Sequence, residues 1–135
     1  MITSETTYRV RYADTDQLGV VYYGNYARFY EIGRTEMIRD VGLTYKDIEE
    51  SGVGMPVVSV QARYRHFALY DELITIRTTV DKMPEARIVF HHEILNEKGT
   101  VIHTAEVTLA FFDLATNRPT RAPKILTDVM EREWK

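Results

Sequence analysis

Residues 14–26 read Asp-Thr-Asp-Gln-Leu-Gly-Val-Val-Tyr-Tyr-Gly-Asn-Tyr, placing two carboxylates before a small-residue turn that leads into an amphipathic helix. A carboxylate just before a helix N-terminus suits acyl chemistry. The acid can act as base or nucleophile while free backbone N–H groups polarise a carbonyl oxygen. The same pattern also fits a simple strand-to-helix turn with solvated acids, so spacing alone leaves both interpretations open.

The helix that follows this turn is predicted over residues 25–40. Its apolar positions share one helical face: Tyr26, Phe29, Tyr30, Gly33 and Met37. Asn25 is predicted to cap it by accepting a first-turn N–H. Gly33 costs this helix about 1 kcal/mol relative to alanine, so we expect it to allow close approach of another backbone. Gly42 ends the helix, and Thr44 is predicted to cap a short second helix through Glu50.

The rest of the chain has strand periodicity. Residues 8–12 alternate before the turn, and everything after Gly54 is predicted to be sheet, with four alternating segments joined by short connections. Short connections predict an antiparallel meander. The fold class is therefore α+β, with one long helix wrapped by a five-stranded antiparallel sheet. An open sheet has edges that need protection, so we expect a homodimer or a larger homo-oligomer.

Composition limits the classes of function. A chain of 135 residues fits one domain over residues 1–135. The net charge of -3 argues against a nucleic-acid partner, and the absence of cysteine excludes disulfides and thiolate nucleophiles. We find no apolar run of membrane-spanning length and no secretion signal, and we therefore expect a cytoplasmic protein.

Other kinds of site fit poorly. The segment from Asp14 opens like a calcium-binding loop, but Leu18 and Asn25 stand where that loop needs oxygen ligands. His91 and His92 are adjacent in a strand and point to opposite faces, which disfavours a metal site. We find no nucleophile-elbow serine and no glycine-rich phosphate loop.

The remaining candidates for a chemical role are the two acids before the helix. Asp16 is the better chemical candidate because it is nearer the free amides, whereas Asp14 is expected to support the turn. Glu31 and Arg34 are expected to form an ordinary helix ion pair.

These residues resemble a known family. The acids at Asp14 and Asp16, the Gly19-to-Tyr22 turn, and Asn25 with the following helix are similar to the signature of the 4-hydroxybenzoyl-CoA thioesterase family of hotdog-fold proteins. The resemblance is strongest to the Tol-Pal-associated branch of bacterial acyl-CoA thioesterases. It covers nearly the whole chain and implies a hotdog fold, a subunit-interface active site and hydrolysis of a coenzyme A thioester.

The resemblance also implies roles for particular residues. The family's catalytic aspartate falls on Asp16, and its carbonyl-polarising amide falls on Tyr23, to which we add the Gly24 N–H. Many members of this branch have histidine in place of Tyr23, but the backbone N–H survives that change. Asp16 acts either as nucleophile or as general base, and the sequence leaves both routes open.

Substrate contacts are expected at further positions: Asn25, then Val57 and Ser59 of the partner subunit by family analogy, and Arg65, Lys82 and Arg87 as basic candidates for the coenzyme A phosphates. We expect no cofactor and no metal. The acyl group stays open between aromatic and aliphatic, acyl carrier protein could replace coenzyme A, and the assembly could be a homodimer or a homotetramer. The alternative function is a non-catalytic protein that binds acyl-CoA or acyl carrier protein.

Overall fold

The computed structural model describes all 135 residues, and a five-stranded antiparallel sheet with one long helix against it dominates the fold. The elements in chain order are β1 (Ile2–Arg9), α1 (Tyr26–Asp40), α2 (Tyr45–Glu50), β2 (Val53–Gly54), β3 (Val57–Tyr64), β4 (Leu73–Val80), β5 (Arg87–Leu95), β6 (Val101–Ala110), β7 (Phe112–Asp113), β8 (Arg118–Pro119) and α3 (Lys124–Glu133). Two 3-10 turns, Tyr12–Asp14 and Tyr23–Asn25, flank the loop between β1 and α1. The predicted α+β class and five-stranded sheet are confirmed.

Helix α1 lies with its predicted apolar face on the sheet, and every predicted position on that face is buried. Gly33 is close-packed, but not against a backbone as expected. A Cβ added there would lie 2.9 Å from Ile76 Cγ2 and 3.2 Å from His92 Nδ1, and it would also meet the Thr78 hydroxyl. The sheet presents side chains to the helix, so side chains of β4 and β5 fill the space above Gly33.

The predicted second helix, α2, is also confirmed. Thr44 Oγ1 accepts from the Asp47 N–H at 3.1 Å, and the Asp47 carboxylate accepts from the Thr44 N–H at 3.0 Å. This reciprocal pair is a capping box, which satisfies two N–H groups that a helix start otherwise leaves free.

The first strand is displaced from its predicted position. It covers Ile2–Arg9, and Tyr12 is 80% exposed in a 3-10 turn. The strand ends because Val10 bonds to the 71–72 loop, while the Arg11 N–H donates to the Asp14 carboxylate at 2.8 Å. The hydrogen bond to the Asp14 side chain therefore takes the place of a sheet hydrogen bond, although apolar and polar residues continue to alternate in the sequence.

The predicted meander is correct only for β4, β5 and β6. The sheet order is β1-β4-β5-β6-β3, so β3 and β4 are not neighbours, and the segment between them crosses from one part of the sheet to another. β3 lies at one edge with a single neighbour, β6, and all eight of its residues are exposed.

The last part of the chain contains a helix that the prediction of continuous sheet missed. α3 buries Leu126, Val129 and Met130, which follow helical i, i+3, i+4 spacing, and these residues join the core. The spacing contains the helical signal, but the segment has only three such positions. None of the three helices has the length and apolar character that crossing a membrane requires.

Candidate active site

The loop from Asp14 to Tyr22 is closed by its own backbone. The Asp16 N–H donates to Val20 O at 3.0 Å, and the Tyr22 N–H donates to Asp14 O at 2.9 Å. Gly19 has φ +78°, and its N–H donates to Asp16 O at 3.1 Å. This left-handed conformation favours glycine, so Gly19 lets the chain reverse tightly after Asp16.

Asp14 anchors this loop. Its side chain is 1% exposed, and the carboxylate accepts from Tyr8 Oη at 2.8 Å, from the Arg11 N–H at 2.8 Å and from the Arg28 guanidinium. A buried carboxylate needs such compensation, because removing it from water is costly. These contacts agree with the turn-supporting role expected for Asp14.

Asn25 supports the same loop instead of capping the helix, so the predicted cap is wrong. Its side chain makes no cap hydrogen bond, because the 3-10 turn before α1 already gives Asn25 helical backbone angles. The side-chain amide donates to Asp14 O at 2.8 Å. Asn25 therefore ties the helix start to the acidic loop.

Asp16 is only partly buried and differs from Asp14 in its contacts. Its Oδ1 accepts from the Leu18 N–H at 2.8 Å, and Oδ2 accepts no hydrogen bond. The backbone N–H groups of Tyr23 and Gly24, which are near Asp16 in sequence, donate no hydrogen bond in the turns and loops or to a side chain. A carboxylate oxygen and two first-turn amides are thus left without protein partners, and the helix start carries partial positive charge.

Asp16 opens onto a cleft of about 430 Å³, which is mostly apolar. Its lining combines the acidic loop, the start of α1 and the end of β3: Asp16, Leu18, Val20, Val21, Tyr23, Tyr26, Tyr64, Arg65, His66 and Phe67. Tyr26 and Tyr64 meet edge to face with ring centroids 5.1 Å apart. His66 and Phe67 were not predicted as neighbours of Asp16, because about fifty residues separate them from it along the chain.

Two buried histidines lie under α1. His103 stacks on Tyr26, and its Nε2 lies 2.5 Å from Tyr30 Oη; His92 Nδ1 lies 2.9 Å from Thr78 Oγ1. Burial lowers the pKa of His103 to about 4 and, with the nearby Arg34 charge, lowers the pKa of His92 to about 3. Both rings are therefore neutral near pH 7. No three His, Cys, Asp or Glu side chains group as a metal site would require.

The predicted substrate contacts divide between two places. Arg65 lines the Asp16 cleft. Lys82 follows the end of β4 and Arg87 begins β5, so both lie at the opposite end of the sheet and do not share the cleft within one chain. Val57 and Ser59 lie on the exposed edge strand β3.

A second cleft, of about 450 Å³, separates α1 from β3. Gly24, Asn25 and Val57 line it, together with Val60. A register shift between Val57 and Ser59 places Val57 opposite Leu109 and Val60 opposite Val107, so both valines face the helix side of the sheet.

The predicted ion pair between Glu31 and Arg34 is absent. Arg34 Nε instead donates to Tyr45 Oη at 3.1 Å, which links α1 to α2. Glu31 is exposed and lines the second cleft.

Comparison with known proteins supports a common family. The family model described as the thioesterase-like superfamily matches residues 10–132. YneP of Bacillus subtilis is 33% identical over 128 residues, covering 95% of this chain and 93% of that protein. The acyl-CoA thioester hydrolase YbgC of Escherichia coli is 34% identical over 116 residues, covering 86% of this chain and 87% of that protein.

Comparison with a solved structure also supports this family. The DHNA-CoA thioesterase of Staphylococcus aureus is 36% identical and superposes with a TM-score of 0.89, covering 97% of this chain and 88% of that chain. The family match extends from Val10, just after β1, to Arg132 in α3, and so includes the acidic loop, α1 and the whole cleft. This chain belongs to the thioesterase-like superfamily and has its hotdog fold.

Proposed function

We propose that this protein hydrolyses the thioester bond of an acyl-CoA, with Asp16 as the catalytic carboxylate. The observation that carries the proposal is the unpartnered Asp16 oxygen in an apolar cleft that Tyr23, in the 3-10 turn leading into α1, also lines. Similarity to the E. coli protein named acyl-CoA thioester hydrolase supports this chemistry. Membership of the 4-hydroxybenzoyl-CoA thioesterase family, close to the Tol-Pal-associated branch, belongs to the same proposal.

In the proposed reaction the thioester carbonyl oxygen accepts from the Tyr23 and Gly24 N–H groups. The helix start adds a favourable field for the negative charge that develops on this oxygen. Asp16 then either attacks the carbonyl carbon to give an acyl-enzyme anhydride, or takes a proton from the water that attacks. The coenzyme A thiolate leaves with little need for protonation, so the cleft needs no general acid.

Arg65 is the best placed of the three proposed phosphate contacts, because it lines the same cleft as Asp16. Guanidinium groups bind phosphate through paired charge-assisted hydrogen bonds. Lys82 and Arg87 remain proposals that require a second subunit, since both lie at the far end of the sheet in the same chain.

The second subunit is proposed to pair along β3. That strand has one free edge, and its exposed side chains include Val57, Val58 and Val60. In an antiparallel pairing of two β3 strands, the end of one strand meets the start of the other. Val57 and Ser59 of the partner subunit would then approach the cleft beside Tyr64. A homodimer satisfies this geometry, and a homotetramer could contain the same pair.

Replacement of Asp16 by asparagine tests the proposal. Asp16→Asn keeps the size and the Oδ1 acceptor but removes the charge. We therefore expect thiol release from a panel of aromatic and aliphatic acyl-CoA substrates to fall by roughly a hundredfold or more. Asp128→Asn, on α3 where the carboxylate pairs with Lys124, is the control and should leave the rate unchanged.

Two outcomes would contradict the proposal. Full activity in a folded Asp16→Asn protein would remove Asp16 from the mechanism. If the unmutated protein binds acyl-CoA across the panel but releases no thiol, it is a binding protein instead of an enzyme. The same panel run with acyl carrier protein substrates identifies the carrier.

A single turnover in heavy-oxygen water tests the anhydride route. Label in the Asp16 carboxylate requires hydrolysis of an anhydride on that side chain. Label only in the released acid shows that water attacked the acyl carbon, as it does in general-base catalysis and in anhydride hydrolysis at the acyl carbonyl.

A further inference from the structure

Tyr64 connects the edge strand to the start of helix α1. It is the last residue of β3 and is 53% exposed, yet its hydroxyl donates to Tyr23 O at 3.1 Å. Forty-one residues separate the two along the chain. No sequence motif predicted a role for Tyr64.

The hydrogen bond falls on a particular peptide unit. Tyr23 C=O and Gly24 N–H belong to the same planar trans peptide, so fixing the direction of the carbonyl also fixes the direction of the N–H. Hydrogen bonding at the carbonyl oxygen also polarises the unit and makes its N–H a stronger donor. The Gly24 N–H is one of the two amides proposed to receive the thioester carbonyl.

The Tyr64 ring is itself held firmly. It meets the Tyr26 ring edge to face at 5.1 Å and the His103 ring at 4.6 Å, both measured between centroids. His103 is fully buried, and Tyr30 fixes it by a hydrogen bond. Two buried aromatic rings therefore set where the Tyr64 hydroxyl points.

We infer that Tyr64 is a positioning residue for thioester hydrolysis, which orients and polarises the Tyr23–Gly24 peptide through its hydroxyl. This inference rests on the proposed function, because it matters for catalysis only if that peptide receives the substrate carbonyl. Burial raises the pKa of Tyr64, so its hydroxyl keeps the donated proton near neutral pH.

A direct contact between Tyr64 and the acyl group is the competing role, since Tyr64 lines the cleft. The two roles differ in their effect on kinetics. A positioning hydroxyl that acts through the carbonyl-binding amide affects the transition state more than the ground state, and so changes kcat. A ground-state contact with the acyl group changes KM.

The experiment compares Tyr64→Phe with Tyr12→Phe. Tyr64→Phe keeps the ring that packs on Tyr26 and removes only the hydroxyl. Tyr12 is 80% exposed, and its hydroxyl makes no hydrogen bond in the structure. For Tyr64→Phe we expect kcat to fall roughly three- to tenfold, the net value of one hydrogen bond, with KM nearly unchanged. For Tyr12→Phe we expect no change in either constant.

Amide NMR of the ligand-free protein provides a readout that does not depend on activity. Tyr64→Phe should shift the Gly24 amide nitrogen and proton resonances, whereas Tyr12→Phe should leave them in place. The inference is overturned by an unchanged Gly24 amide, by an unchanged kcat, or by a change confined to KM. Absence of thiol release in the unmutated protein overturns the proposed function instead, and the Gly24 resonances then still test the hydrogen bond.

Discussion

The two acids of the loop, Asp14 and Asp16, lie two residues apart and differ in burial and in their hydrogen bonds. Asp14 is buried among three donors, one of them the Arg28 guanidinium. Asp16 keeps one oxygen free and faces an apolar cleft. A carboxylate satisfied by three donors has little capacity left to attack a substrate. We therefore propose different roles for the two acids, with Asp14 supporting the turn and Asp16 acting on the substrate.

His92 and His103 should make folding depend on pH below neutrality. Their pKa values are lowered to about 3 and about 4, so the folded protein keeps both rings neutral while the unfolded chain binds protons below about pH 6.5. This contribution to stability is complete above that pH and is lost as the pH falls towards 4. We expect a loss of about 1 kcal/mol per pH unit for each histidine.

Urea unfolding at about pH 7 and about pH 5 measures this loss, above the range where most carboxylates titrate. His92→Gln and His103→Gln should each remove part of the pH dependence, and His66→Gln, an exposed histidine, serves as the control. If His66→Gln reduces the slope as much as the buried variants do, the dependence does not come from the buried pair.

At the scale of elements, sequence periodicity predicted α1 well because the helix has a long apolar face that meets one surface. It did not predict α3, because three apolar positions in a short segment give only a weak helical pattern. The end of β1 was misplaced for a different reason. A hydrogen bond from Arg11 to Asp14 ended the strand while the alternation of side chains continued.

Gly33→Ala tests how closely α1 packs on the sheet. Alanine favours a helix by about 1 kcal/mol, but its Cβ would lie 2.9 Å from Ile76 Cγ2 and would also meet the Thr78 hydroxyl. We expect a net loss of about 1–3 kcal/mol in the free energy of unfolding, because overpacking exceeds the helix preference. Denaturant unfolding of both proteins measures this change in the free energy of unfolding.

Ala27→Gly, at an exposed position of the same helix, is the reference for helix preference alone. It should destabilise by about 1 kcal/mol. A Gly33→Ala protein more stable than the unmutated one would show that β4 and β5 can give way, and that glycine is not required there.

At the scale of the whole molecule, the exposed edge strand β3 is the surface that most needs a partner. A long edge with apolar side chains is a site for pairing with another chain. The other edge strand, β1, has polar residues at its exposed positions. The proposed second subunit would cover the valines of β3 and bring the start of one β3 strand beside the cleft of the other subunit.

A charged residue introduced on β3 tests the proposed dimer. We expect the unmutated protein to have at least twice the chain mass of 15.7 kDa by light scattering. Val58→Lys should shift it towards the single chain and reduce thiol release, because a charged side chain on an edge strand opposes pairing with another chain. Thr7→Lys on β1 should change neither. A single-chain mass for the active unmutated protein would reject the dimer.

The sequence by itself determined the α+β class and the extent of α1, and it supplied Asp16 as the proposed catalyst, because periodicity and local turn chemistry act between residues close in the chain. Only the tertiary structure decided the strand order, the exposure of β3, the Arg28 partner of Asp14, and the approach of Tyr64 and His66 to the cleft. Those contacts join residues far apart in sequence. A periodic pattern reports that a face is buried, but packing determines what covers it.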